Sequence, residues 1–170
     1  MKKYELTSET KVINGVELHR IKALKSFGNI KKGELGGWIE SEKNLSQDGN
    51  AWVGGDATVF DNAEVSGDAK VCVFATVRGN ATVRGNAWVR GNATVRGNAT
   101  ISGNAIVFDN AWVGGNATVR GHADFIVFKN WWSSGRCFTW TRSNNKWKVD
   151  CFYGSGEELI AKAYKDSEKS

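Results

Sequence analysis

The chain has 170 residues, 20 Gly, no Pro, three Cys and a formal net charge of +5. That length suits one compact domain or one capped solenoid and excludes two ordinary globular domains, and no apolar run is long enough to cross a bilayer. Cys72, Cys137 and Cys151 lack metal-type spacing and are read as reduced thiols, while glycine without proline points to regular turns and the positive surplus favours acidic partners.

Residues 1–46 come first and read as a β cap. Met1 to Glu5 lead into alternating polar and apolar positions instead of a secretory apolar segment, which predicts a cytoplasmic protein. Strands are expected around Tyr4 to Val12 and Val16 to Leu24, joined by Asn14-Gly15, a strong hairpin turn. Lys22, Lys25, Lys31 and Lys32 make this cap basic.

Residues 47–124 carry a repeat. From Val53 the sequence falls into twelve hexads with Val or Ile first and Ala fifth, running from V-G-G-D-A-T through V-R-G-N-A-T to V-R-G-H-A-D. A period of six is too short for a helical repeat, and a β-branched residue followed by Gly-Asn or Gly-Asp reads as a short strand and a tight corner. The small fifth residue suits a cramped inner corner, and Gly and Asn readily take left-handed backbone angles.

The hexads resemble the hexapeptide-repeat family, in which three hexads make one triangular left-handed coil. The resemblance implies an all-β fold dominated by a left-handed parallel β-helix of about four coils, about 20 Å tall at roughly 4.8 Å per stacked strand. Residues eighteen apart then share a face, so Arg78 and Arg96 stack while Arg84 and Arg90 fall on the other faces, which gives a basic belt around the middle coils. One face bears Trp52, Trp88, Ile106 and Phe108, with Phe74 at the adjoining corner, an apolar stripe larger than a soluble monomer leaves in water. Family members are commonly trimers, which makes these five residues the expected oligomer contacts. Cover by the chain's own terminal region is the other expectation. Another face stacks Thr82, Thr100 and Thr118 beside Arg84, Ser102 and Arg120, but without the repeated T-x-T of an ice-binding array. The segment from Leu18 to Ser46 looks like one that recurs beside hexapeptide repeats in uncharacterised bacterial and phage proteins.

Residues 125–170 form an aromatic-rich module. Strands at about 136–142 and 146–153 flank Ser143-Asn144-Asn145 and predict a hairpin that sets Cys137 opposite Cys151. Ser155 and Glu158 make a capping box, so a short helix is expected from near Gly156 with Leu159, Ile160, Ala163 and Tyr164 packed on the hairpin. Trp131, Trp132, Trp140 and Trp147 are interleaved with Arg136, Arg142, Lys146 and Lys148. Rings beside cations suit stacking on bases or nucleotides, and they equally supply the core of a small module.

Many hexapeptide-repeat proteins are acyltransferases that use acetyl coenzyme A and a His base beside a loop interrupting the coils. This chain has only His19 and His122, no interrupting loop, and none of the common catalytic signatures. The sequence therefore predicts a non-catalytic, homotrimeric binding protein of phage or prophage type with no cofactor or metal, acting in the host cytoplasm. Its expected partner is acidic: a host defence protein, nucleic acid or nucleotide, bound through Arg78, Arg84, Arg90, Arg96, Arg120, Trp131, Trp132, Arg136 and Lys148. A virion assembly protein and an acyltransferase based on His122 are the alternatives.

Overall fold

The computed structural model describes residues 2–129 and 136–167. The chain opens with an antiparallel hairpin, β1 (Tyr4–Ile13) and β2 (Val16–Ala23), closed by Asn14 and Gly15 at φ 53° and 82°. Both positive angles match the type I′ turn that Asn-Gly favours. Strand β3 (Leu35–Ile39) pairs antiparallel with β2 and parallel with the strand Thr58–Val59, so the hairpin continues the wall of the solenoid above it.

Twelve two-residue strands follow at six-residue intervals, from β4 (Trp52–Val53) to β15 (Thr118–Val119). Strands eighteen residues apart pair in parallel, which sorts them into three faces. The first face stacks strands beginning at Trp52, Lys70, Trp88 and Ile106. The second begins at Thr58, Thr76, Thr94 and Trp112, and the third at Glu64, Thr82, Thr100 and Thr118. The four-coil expectation holds for the hexads, and β3 with the Leu45–Val65 bridge adds a fifth turn beneath them. The result is a parallel β-solenoid that fits the left-handed β-helix.

The packing follows from the two invariant hexad positions. The first-position Val or Ile of every hexad and the fifth-position Ala of the first eleven point inward and are buried, whereas Ala123 of the last hexad is exposed. At about 25 cal/mol per Å² of apolar area removed from water, this uniform column is the main source of stability. Corners take the left-handed backbone region at the third position, where a Cβ on Gly85 would lie 3.1 Å from the Gly103 nitrogen. Fourth-position amides stack outside, with Asn62, Asn80, Asn98 and Asn116 bonded in sequence at 3.2, 3.0 and 3.1 Å.

The second half of the last hexad is a 3₁₀ turn (His122–Asp124) that leads into β16 (Phe125–Lys129), β17 (Cys137–Thr141), β18 (Lys146–Val149) and β19 (Phe152–Gly154). These form a separate four-stranded antiparallel sheet instead of a two-stranded hairpin. The expected long second strand breaks because Asp150, at φ 46°, turns the chain. Register sets Phe138 opposite Val149, so Cys151 lies in the turn beyond, and no disulfide joins Cys72, Cys137 or Cys151.

Helix α1 (Gly156–Ser167) starts at the expected capping box, with Ser155 N–H donating to Glu158 Oε2 at 2.6 Å and Glu158 N–H to Ser155 Oγ at 3.2 Å. Only half of its apolar side packs as expected. Leu159 and Ala163 line a hollow of about 380 Å³ against Phe138, Val149 and Phe152, while Ile160 and Tyr164 are exposed. The latter pair lie about 100° further around the helix than Leu159 and Ala163, beyond the line of contact with a flat sheet.

Candidate functional site

The predicted arginines separate by face. Arg78 and Arg96 follow Val77 and Val95 on the second face, and the Arg96 guanidinium lies 4.7 Å from the Trp112 ring. Lys148 approaches the same ring at 5.3 Å and Tyr153 packs on it at 5.0 Å. Arg90, on the first face, lies 5.9 Å from Phe108. Arg136 pairs with Asp150 at 2.8 Å. Arg96, Lys148 and Arg136 therefore each have a local partner, an aromatic ring or a carboxylate.

Arg84 and Arg120 differ. They stand two coils apart on the third face, about 10 Å at 4.8 Å per coil, and both are exposed. Thr82, Thr100 and Thr118 run beside them with Ser102 between. The acidic groups Glu64 and Asp68 belong to the foot of this face.

Above Arg120 the sheet contributes Arg142, whose N–H donates to the Asp124 carbonyl at 2.8 Å. Arg120 and Arg142 line a hollow of about 440 Å³ with Thr118, Ser143 and Asp124. Ser143 Oγ accepts from Thr118 N–H at 2.6 Å, and Asp124 Oδ2 accepts from the N–H groups of Arg120 and Gly121 at 2.7 and 3.1 Å. The Asp124 carboxylate is thus engaged by backbone. Among the described residues, Arg84, Arg120 and Arg142 form no ion pair. Guanidinium stays protonated at any physiological pH and presents five donors, so the column can hold phosphate or carboxylate groups at fixed height.

The sequence places Arg142 among the aromatic residues and gives no sign that it continues the column. That juxtaposition depends on how the sheet sits on the last coil. Trp131 and Trp132 lie outside the described residues.

The apolar stripe is divided. Trp52, 4% exposed, is covered by its own chain, with Phe27 and Tyr4 edge-on at 5.5 and 6.5 Å. Phe108 packs edge-on to Phe125 at 6.3 Å, and Ile106 is half-buried. Between them Val73, Phe74 and Trp88 remain 46%, 60% and 38% exposed. Val73 holds φ 69° where the stacked corners have Gly55 and Gly91, a left-handed conformation that is strained for a β-branched residue. Cys72 lies beside this patch, and burial pushes its thiol above its usual pKa.

Of the two histidines, His19 is half-buried on β2 opposite Thr10 and Ile39, and His122 opens the turn above Arg120. Among the described residues no group of three or more His, Cys, Asp or Glu could hold a metal ion, and no helix is long and apolar enough to cross a membrane.

No protein-family model matches the chain. An alignment over 61 residues that covers 31% of the chain is 34% identical to an uncharacterized acetyltransferase, YdcK, of Escherichia coli strain K12. The match covers 19% of that protein, so the chain spans about a fifth of its relative's length.

Proposed function

We propose that this chain is a non-catalytic binding protein whose solenoid holds an acidic partner on a rigid guanidinium track. The observation that carries this reading is the column Arg84, Arg120 and Arg142, flanked by threonine and serine hydroxyls and free of ion pairs among the described residues. A rigid array of cations binds a polyanion with little ordering entropy. The partner is a nucleic acid, a nucleotide or an acidic host defence protein. The phage setting and the antagonism of a bacterial defence system rest on the resemblance of residues 18–46 to segments found in phage proteins.

The test is affinity for heparin, a polyanion without bases, measured against salt. The native protein binds with a negative slope of log affinity on log salt, and R84Q/R120Q/R142Q abolishes binding without lowering the melting temperature. Equal binding by the triple variant would sink the reading.

Trimeric assembly through Val73, Phe74 and Trp88 belongs to the same proposal. The support is an exposed apolar patch containing a strained Val, a combination that favours burial against another subunit. Sedimentation of the native protein and F74E reads it directly: a trimer that F74E dissociates supports this contact, and a monomeric native protein removes it.

One observation favours a second reading, acyl transfer, namely the short match to a protein named as an acetyltransferase. Calorimetric binding of acetyl coenzyme A, lost in H122A, would favour it over the binding-protein reading.

A further inference from the structure

The sheet above the solenoid has two unlike faces. Its inner face, with Phe125, Thr139 and Thr141 buried, closes the top coil. Its outer face sets Ile126 opposite Trp140 and Trp140 opposite Trp147, and beside that row Phe128 lies opposite Phe138. Helix α1 covers the far side, around Val149 and Phe152. The near side stays open: Ile126 is 53% and Phe128 46% exposed, and Trp140 is half-exposed.

The rings have the arrangement of a platform. Phe128 and Phe138 are stacked at 4.7 Å and 5° between planes, Phe128 meets Trp147 edge-on at 6.2 Å, and Trp140 lies 6.5 Å from Trp147. Trp140 Nε1–H donates to Asn145 Oδ1 at 3.0 Å, which fixes the indole over the turn that begins at Arg142. Trp140 stands near the end of β17 and Arg142 opens the turn that follows, where it lines the hollow shared with Arg120. Residues 125–154 hold Lys129, Arg136, Arg142, Lys146 and Lys148 against one acidic residue, Asp150.

Building on the polyanion reading above, we infer that the ligand is single-stranded nucleic acid, with bases stacked on the Trp140 platform and phosphates carried by Arg142, Arg120 and Arg84. Each base has a π face that stacks on an aromatic ring, and an unpaired strand can splay its bases onto a sheet while its backbone follows cations. A duplex hides those faces. An anionic membrane could meet the aromatic platform, but a plane cannot also follow the arginine column down the side of the solenoid.

The test uses the full chain with twelve-residue oligothymidylate and oligouridylate, a twelve-base-pair duplex, heparin, and vesicles containing phosphatidylserine. Tryptophan fluorescence reports binding, and the melting temperature of each variant reports folding. Either oligomer should quench fluorescence and bind more tightly than the duplex. W140L, which keeps apolar bulk without a ring, should weaken oligomer binding roughly fivefold or more and leave heparin affinity unchanged, while W140F restores it. R142Q should weaken oligomer and heparin alike. Oligomer binding unaffected by W140L, equal binding of duplex, or quenching by vesicles alone would overturn this inference while heparin binding keeps the polyanion reading. If neither heparin nor oligomer binds, both fall together.

Discussion

The two caps close the same solenoid by different means. At the base, β1, β2 and β3 continue the second face as one seven-stranded sheet, and Tyr4, Ile21 and Ala23 are sealed into the core. Lys3, fully buried, donates from Nζ to the carbonyls of Ala51 at 2.9 Å and Asp48 at 3.3 Å, and Tyr4 OH donates to Leu45 O at 2.6 Å. At the top the sheet is separate and meets the last coil through side chains: Thr139 Oγ1 accepts from Trp112 N–H at 3.1 Å, and Tyr153 OH donates to Gly114 O at 3.0 Å. The basal cap turns its rings inward and the apical cap leaves several outward. A terminal module that only sealed the coil would resemble the base, so the exposed rings point to a second task at the top.

The sharpest way to break this contrast is Lys3→Ala, which strands two carbonyls beneath the first coils and should lower stability by about 3 kcal/mol in urea unfolding. A pH signature identifies the cause. Burial lowers the Lys3 pKa from 10.5 to about 8, so between those values the unfolded chain binds a proton that the folded chain does not. Stability contributed here therefore rises with pH from about 8 toward 10, where Tyr4, whose pKa burial raises, begins to oppose it. The variant should lack that rise. A loss as small at the base as at the top would remove the distinction between the caps.

At the top, Thr139→Val keeps shape and removes one acceptor. It leaves Trp112 N–H unpaired and should lower stability by about 1.5 kcal/mol. Hydrogen exchange should show faster exchange at Trp112 with the amides of the first coils unchanged. Uniform acceleration along the solenoid would mean that the apical sheet is as integral as the basal one.

The same contrast explains what was legible in the sequence. The hexads announce themselves because every inward position repeats, and Asn14-Gly15 dictates its own turn. The three-hexad coil that the family resemblance implies then sets residues eighteen apart on one face, so Arg96 above Arg78 and the Thr82, Thr100, Thr118 column were legible in the sequence. The basal turn of β3 was not, because Gly36, Gly37 and Trp38 break the hexad pattern. Trp52 was readable as outward, with cover by the chain's own terminal region one of two expectations, but Phe27 as that cover was not, since it lies in a segment without periodicity. Arg142 joining Arg120 depends on the docking of two elements, which no local pattern encodes. Asp150 hid a turn within a run of strand-forming residues because an Asp in the left-handed region has no signature of its own.

The smallest effect concerns the outermost element, α1, which has no fully buried residue. Ser155 caps it reciprocally with Glu158, and replacing a capping Ser by Ala costs about 1 kcal/mol where the helix unfolds with the rest of the protein. An appended helix that frays alone responds differently: Ser155→Ala should reduce helical circular dichroism while the midpoint of global unfolding moves by less than about 0.5 kcal/mol. Hydrogen bonds from the backbone and side chain of Ser155, aided by the charge of Lys146, hold the Glu158 carboxyl below its usual range. The cap contribution is then complete above the unfolded carboxyl value of 4.5 and disappears as pH falls through the lower folded value. Acid titration of the native protein should therefore lose the helix signal before the solenoid unfolds, and Ser155→Ala should shift that loss to higher pH. Loss of helix and solenoid in a single step would instead make α1 part of the cooperative fold, and its hold on the aromatic sheet as firm as that of the basal hairpin on the first coil.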